Sequence, residues 1–518
     1  MATINVGMQY YFIISLFIFI ICTFLLRFLF KRPTSSSKTT HLRLPPSPPA
    51  LPLIGHLHLM SQVVHKSVTD ICTKYGPFLY LHMGCLPCVV VSSAALAMEI
   101  FKTHDINFSY RPQSIFGNSI FLGNFGIFTA PYGDKWRFIK KLCVADLLGA
   151  RHVERSRNVR REEIMRLLSK ILEKAGKNEV VDLGSELGKL ASTVIMRMVT
   201  GAGFSEENCE ADMMKEWVVE SLGLTGKFFF ARALGPFKIL ASWLFEKRGR
   251  DIIKQCDDLL EKYLEEHEVR ANGDGDRSEN RDLMDILLEV YHDEKSEFKI
   301  TKKNIKAFLL DLLVAGINGI DGSVKFVIAE LINHPDSFNK AREEIESVVG
   351  RNRLVEESDI RNLPFLQAVL KETLRLHPHV PLIFRECHRN CNIKGFDIPG
   401  KTITVINAYA IMRDPEFWDK PNEFRPQRFL VYSKEEEDSE TKKQLFNYFP
   451  FGGGRRTCPG ALLASSILIP EIAAMVQCFD FEVEGGKFNM QAGPGMSMNL
   501  AQQLMCRPVV HFNPFAQT

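Results

Sequence analysis

The chain has 518 residues, a length that admits several domains or one large catalytic unit. Apolar residues make up 46% and charged residues 24%, which excludes a disordered chain, a collagen and a polytopic membrane protein. The net charge of +3 gives no global signal for nucleic acid, so any basic partner site must be local.

No charged side chain occurs from Met1 to Leu26, and the run Tyr10 to Leu26 is almost wholly apolar. With Val6 to Gln9 it gives about 20 residues, enough to cross roughly 30 Å of hydrocarbon as a helix. Arg27, Lys31, Arg32, Lys38 and Arg43 follow it, and no Lys or Arg precedes it. The positive-inside rule then places the N-terminus in a lumen and the body in the cytosol. The basic start and small-x-small site of a cleaved signal peptide are both missing. Residues 1–32 are therefore expected to be a single-pass anchor with a basic stop-transfer. Residues 33–55 form a polar linker and a stiff proline-rich hinge, LPPSPPALPLIG. The body is residues 56–518. Its cysteines are too sparse for a disulfide scaffold and fit a reducing compartment.

β-branched and apolar runs at 78–93, 395–405 and 505–512 read as strands. Helical periodicity covers 138–148, 153–174, 183–200, 251–269, 283–294, 303–331 and 336–349. The expected fold is mainly α with small β-sheets. It is not βαβ, and it holds no phosphate loop, nucleophile elbow or HExxH. The many phenylalanines suit a ring-lined pocket or a large core.

The sharpest feature is FGGGRRTCPG, Phe451 to Gly460, followed by an apolar helix-like run. A cysteine just before a helix N-terminus is favoured as thiolate, and Arg455 and Arg456 add positive charge. The glycines let backbone approach a flat, bulky partner. A redox sensor, a nucleophile or a metal ligand would each use such a thiolate. No His lies nearby in sequence to serve as base, and a single axial ligand to haem iron fits best.

FGGGRRTCPG resembles the haem-binding loop of the cytochrome P450 superfamily, with Phe451, Gly454, Arg456, Cys458 and Gly460 at its signature places. Three further motifs agree in order. KETLR supplies Glu372 and Arg375, FRPQRF supplies Arg428, and WRFIKK supplies Trp136. The texture between them is similar to plant microsomal members, most of all flavone and isoflavone synthases, pterocarpan hydroxylases and triterpene oxidases. The resemblance implies haem b held by Cys458, with a thiolate that favours O–O cleavage. It implies a structural ion-paired triad of Glu372, Arg375 and Arg428. It also implies propionate contacts from Arg456 and Trp136, joined by Arg385 and Lys140. Lys140 stands where many relatives have Arg, which loses the bidentate fork. Arg137, Lys140, Lys141 and Arg455 are candidates for a basic patch toward an acidic electron donor.

The implied activity is insertion of oxygen from O2 into a small hydrophobic plant metabolite, a flavonoid or a terpenoid. Electrons come from NADPH through a partner reductase. The expected state is a monomer in the endoplasmic reticulum membrane with a cytosolic catalytic domain and no nucleic-acid partner. Expected pocket walls are Arg111 to Phe128, Phe228 to Leu234, Ile317 to Ile320 and Val380 to Phe384.

One segment departs from the family pattern. In LLDLLVAGINGIDGSVKFVIAEL the acid and alcohol places after Ala315-Gly316 hold Asn318 and Gly319. That pair normally helps deliver protons to oxygen. Asp321 and Ser323 lie about a turn further on and substitute only if the helix shifts or bulges. Gly316, Gly319 and Gly322 each cost roughly 1 kcal/mol against Ala. The alternatives are a rearrangement, dehydration or desaturation on the same haem, or a non-catalytic membrane scaffold. Cys85-x-x-Cys88 lacks a second pair, Cys387, His388 and Cys391 lack a fourth ligand, and the sequon at Asn107 is idle in the cytosol.

Overall fold

The computed structural model of the protein describes residues 13–22, 42–112, 126–201, 210–235, 238–271, 281–430 and 447–516. Of the expected membrane span, Ile13–Cys22 is an α-helix with every side chain exposed. The rest of that span, the 33–41 linker, and the polar loops at 272–280 and 434–443 lie outside the described residues. The proline-rich hinge is extended and lies against the body, where Tyr80 N–H donates to Pro46 O at 2.8 Å.

Helix α1 (Val64–Tyr75) leads into the hairpin β1 (Phe78–Met83) and β2 (Leu86–Val91). Helices α2 (Asp134–Leu142) and α3 (Arg157–Gly176) follow, then strand β3 (Val181–Asp182). Next come α4 (Leu183–Thr200), α5 (Glu210–Ala233), α6 (Lys238–Ala271) and α7 (Leu283–His292). The long helix α8 (Lys302–Asn333) precedes α9 (Pro335–Val349) and α10 (Pro364–Leu376), both opened by a proline that fits the first helical position. Four short strands follow: β4 (Leu382–Glu386), β5 (Cys391–Ile393), β6 (Phe396–Ile398) and β7 (Ile403–Asn407). The last elements are α11 (Ala461–Cys478), β8 (Phe479–Glu482) and β9 (Met505–Val510).

The larger sheet has the order β1-β2-β7-β4, with β2 and β7 parallel from Cys88↔Ile403 to Val91↔Ile406. Two smaller sheets are β3-β9-β8 and β5-β6. The helical body is built round α8. A capping box starts this helix: Asn304 N–H donates to Thr301 Oγ1 at 3.2 Å, and Thr301 N–H donates to Asn304 Oδ1 at 3.0 Å. From there α8 packs against α4 to α7 on one side and α9 to α11 on the other. Both α8 and α11 are apolar and long enough to cross a membrane, yet most of their surface is buried in protein. Each fully buried Leu, Ile, Val or Phe of that core contributes ~1.5–3 kcal/mol.

The fold agrees with a mainly helical body and small sheets. Not expected from the sequence are α1, α5, the first turns of α6 and of α10, and strands β3, β4, β5 and β8.

Candidate functional site

The loop before α11 is held by backbone geometry. Gly452 and Gly454 adopt φ of +77° and +68°. Cys458 N–H donates to Phe451 O at 2.9 Å, which sets the cysteine just ahead of α11. Cys458 keeps accessible surface but is hemmed in by protein. Burial pushes its thiol up, while the Gly460 N–H and the Lys140 charge pull it down. The cation beside Cys458 is therefore Lys140, whose Nζ donates to Thr457 O at 2.5 Å. The neighbouring arginines do not serve that role. Arg455 pairs with Asp105 at 3.1 Å, and Arg456 turns away.

Arg456 is buried, and its guanidinium lies 4.2 Å over the Trp136 ring. It donates to three carbonyls: Ser109 O at 2.8 Å, Ile127 O at 3.0 Å and Ala130 O at 2.6 Å. Trp136 Nε1 donates to the same Ile127 O at 2.9 Å. Arg385, on β4, is also buried, as is the guanidinium of Arg111, which donates to Phe384 O at 2.8 Å. Among the described residues none of these three arginines is ion-paired with a carboxylate, and Arg111 Nε is buried with no partner. Desolvation, then mutual repulsion, lowers Arg456 to about 9 and lowers Arg385 as well. Desolvation also brings Arg111 to about 10, against the pull of Asp311. Three desolvated guanidiniums with no carboxylate in ion-pair contact call for an anionic ligand.

Asp311 of α8 is a site residue the sequence reading passed over. Its Oδ2 accepts from Phe128 N–H at 2.7 Å, and Ile127 N–H also bonds it. A Cβ on Gly126 would collide with that carboxylate, so glycine is required there. Burial raises Asp311 to about 7 against these hydrogen bonds. It ties α8 to the segment whose Ile127 carbonyl receives Arg456 and Trp136.

Glu372 and Arg375 of α10 meet one face apart by one turn, both with 0% side-chain exposure. Arg375 forms a fork onto Glu372 at 2.7 and 2.9 Å, and its Nη1 donates to Met412 O and Pro421 O at 2.8 Å. Arg428 Nε donates to Glu372 Oε1 at 2.9 Å. Stripping one member from such a buried cluster costs about 3–5 kcal/mol, because a charge is left uncompensated.

Helix α8 runs through its glycines as continuous α-helix, with no bulge. A Cβ on Gly319 would meet nothing within 4 Å. Asn318 Nδ2 lies 2.7 Å from His379 Nε2, and burial holds that imidazole down at about 4. Asp321 lies some 200° round the helix from Gly319 and pairs with Lys325 at 2.7 Å. Its face looks onto Gly188 of α4 and Lys215 of α5. Ser323 Oγ donates back to Gly319 O at 2.7 Å. Without a shift or bulge, neither Asp321 nor Ser323 takes the vacated places.

Of the expected pocket walls, Phe229 and Phe230 from α5 converge with Leu382 and Phe384 of β4 on one apolar cavity. Most of the 111–128 wall lies outside the described residues.

The family model for cytochrome P450 matches residues 45–506. The chain belongs to the cytochrome P450 family. It is 43% identical to cytochrome P450 705A22 of Arabidopsis thaliana over 96% of this chain and 97% of that one. It is 41% identical to 3,9-dihydroxypterocarpan 6A-monooxygenase of Glycine max, over 92% and 95%. A zebrafish cytochrome P450 structure with progesterone shares the fold at a TM-score of 0.72 and 24% identity, covering 87% of this chain and 99% of that one. As a P450 the protein is a monooxygenase whose cofactor is haem b. The residues present fit that group. A thiol stands at the head of α11, and three buried arginines, one with an orphaned Nε, lack the anions that two propionates supply.

Proposed function

We infer that this P450 is a membrane-anchored monooxygenase of the endoplasmic reticulum acting on a small apolar plant metabolite, a flavonoid or a terpenoid. NADPH supplies electrons through a partner reductase. The observation that carries this reading is the desolvated cluster Arg111, Arg385 and Arg456 beside the cysteine loop. The similarity to a pterocarpan monooxygenase supports the substrate class.

Haem, when bound through a sulfur ligand, would supply the activation of dioxygen. The chain's residues do the rest. Cys458 would hold the iron, its sulfur steadied by the Gly460 N–H and the Lys140 charge. Arg456, Arg385 and Arg111 would receive the propionates; Trp136, whose single N–H is spent on Ile127 O, would instead pack its ring against Arg456, and Asp311 fixes the 126–128 backbone they lean on. Phe451 places Cys458 through its carbonyl. Lys140 serves the cysteine loop rather than a propionate. Glu372, Arg375 and Arg428 tie the 412–428 segment to α10. Exposed Lys141 is available to an acidic reductase surface, whereas Arg137 is already paired with Asp134.

Oxygen insertion consumes two protons for each O2 reduced. On α8 the side chains that would bring them are engaged: Asn318 with His379, Asp321 with Lys325, Ser323 with a carbonyl. Water or a hydroxyl of the substrate then donates, in the space that Gly319 leaves open. The same observation favours a second reading, a reductase-independent dehydration or rearrangement of an already oxidised substrate. Reconstitution with reductase, NADPH, labelled O2 and a panel of flavonoids and triterpenes separates the two. One labelled oxygen in the product is expected. Turnover without NADPH, and no label incorporated, would overturn the first reading in favour of the second.

A further inference from the structure

Cys387 follows β4 directly, and Cys391 opens β5. Their sulfurs lie 3.7 Å apart. Cys387 is 0% exposed, whereas Cys391 is half-buried and flanked by exposed Arg389, Asn390 and Asn392. Both backbones are pinned. Cys387 N–H donates to Thr402 O at 3.0 Å, its carbonyl accepts from Lys401 N–H at 2.6 Å, and Cys391 pairs with Ile398 across β5-β6.

The three residues between the cysteines are pinned too. The Asn107 side chain donates to Arg389 O at 2.9 Å and to Cys387 Sγ at 3.4 Å, and accepts from Arg389 N–H at 2.8 Å. The sequon asparagine is thus spent on holding this loop. The His388 ring stacks on Tyr110 at 4.0 Å, and the His388 backbone N–H donates to Asn107 O at 2.9 Å.

We propose that Cys387 and Cys391 are a reversible dithiol–disulfide site, oxidised by a low-molecular-weight disulfide such as oxidised glutathione. The sulfurs need close only from 3.7 Å to about 2.05 Å to form the bond. Accessibility divides the labour. The Cys391 thiolate attacks one sulfur of the small disulfide, forms a mixed disulfide and releases one thiolate. Cys387, which no outside reagent reaches, then attacks the Cys391 sulfur and releases the second. Two protein thiols become one disulfide, one small disulfide becomes two thiols, and the two protein protons pass to those products. The shared hydrogen bond lowers the Cys391 thiol and raises that of Cys387, so the pair gives up its first proton from Cys391. The pair lies two residues beyond Arg385 and is bound through Asn107 to the segment that leads into Arg111.

The sequence offers a direct test. Trypsin cuts after Arg385, Arg389 and Lys394, so Glu386–Arg389 and Asn390–Lys394 stay together only through a disulfide. Full-length haem-loaded protein is equilibrated in glutathione buffers of increasing oxidation, acid-quenched, alkylated and digested. The joined peptide should rise with the oxidised fraction and disappear with dithiothreitol. Cys387→Ser should leave a persistent glutathione adduct on Cys391, whereas Cys391→Ser should leave Cys387 free of adduct. Two separately alkylated peptides at every buffer ratio would overturn the site. A glutathione adduct on Cys387 in Cys391→Ser would overturn the order of attack.

Discussion

Three glycines on one helix give a graded test of how α8 is built. Gly316, Gly319 and Gly322 would each gain roughly 1 kcal/mol of helix propensity on changing to Ala. Their surroundings separate them. A Cβ at 319 meets nothing within 4 Å, so Gly319→Ala keeps the whole gain. A Cβ at 316 sits 3.2 Å from Ile195 Cδ1, the free end of a side chain that yields by a few tenths of an ångström, so the gain is largely cancelled. A Cβ at 322 sits 2.7 Å from His379 Nδ1 and 2.9 Å from Asn499 Oδ1. The imidazole must then move, straining its 2.7 Å contact with Asn318. Overpacking of about 1–3 kcal/mol plus a hydrogen bond of about 1 kcal/mol outweighs the propensity term. Hydrogen–deuterium exchange over 310–325 in the haem-loaded protein reads these differences, since ~1 kcal/mol alters opening about fivefold. Exchange should slow about fivefold in Gly319→Ala, stay within about twofold in Gly316→Ala, and speed up in Gly322→Ala. Unchanged or faster exchange in Gly319→Ala would refute the open space, and protection in Gly322→Ala would refute the His379 contact.

The buried Asp311 gives stability a pH dependence of definite sign. Its folded value of about 7 exceeds the ordinary 3.8, so the fold binds more protons than the unfolded chain between them, and stability falls as pH rises through that window by up to ~4 kcal/mol. Asp311→Asn still accepts the Phe128 and Ile127 N–H groups but cannot ionise. Its urea midpoint should therefore fall less than the wild type's between pH 5 and pH 8, and parallel curves would contradict this. The Asn318→Asp, Gly319→Thr double change should not by itself restore a free acid, because the new carboxylate ion-pairs with His379. Product formed per NADPH consumed should rise only when His379→Ala is added, and equal coupling in double and triple variants would refute the pairing.

The cysteine loop is readable from sequence because its constraints are local. Glycines at positive φ, a helix start and a cysteine lie within one decapeptide. Glu372 and Arg375 are readable for the same reason, being one turn apart on α10. What escapes is contact made at long range. His379 reaches Asn318 from 61 positions away, and nothing in the sequence of α8 announces it. Asp311 looks like an intrusion in an apolar run until the 126–128 backbone is seen to close on it. Arg111 belongs to the arginine cluster only because a β-bridge sets Tyr110 against Glu386. Helix α5 escapes sequence patterning because both its faces carry apolar residues, which erases the amphipathic period. Strands β4, β5 and β8 are too short for alternation to register. The choice of Lys140 between a propionate and the Thr457 carbonyl is a matter of loop placement, which residue type does not decide.

Helix α8 therefore joins stability to chemistry. Its polar side chains near the glycines are not merely displaced from the usual acid and alcohol places. Each is committed to a structural contact, and two of those contacts rest on a nearby glycine. Gly322 lets His379 come close enough to hold Asn318, and Gly188 on the facing helix makes room for the Asp321 and Lys215 heads. Reversing one substitution leaves these commitments in place, so proton supply cannot be repaired one residue at a time. A Cβ at Gly319 would meet no protein atom within 4 Å, so protein side chains do not crowd that point of the helix. A substrate that brought its own hydroxyl to that point would donate the proton without calling on any of these committed side chains.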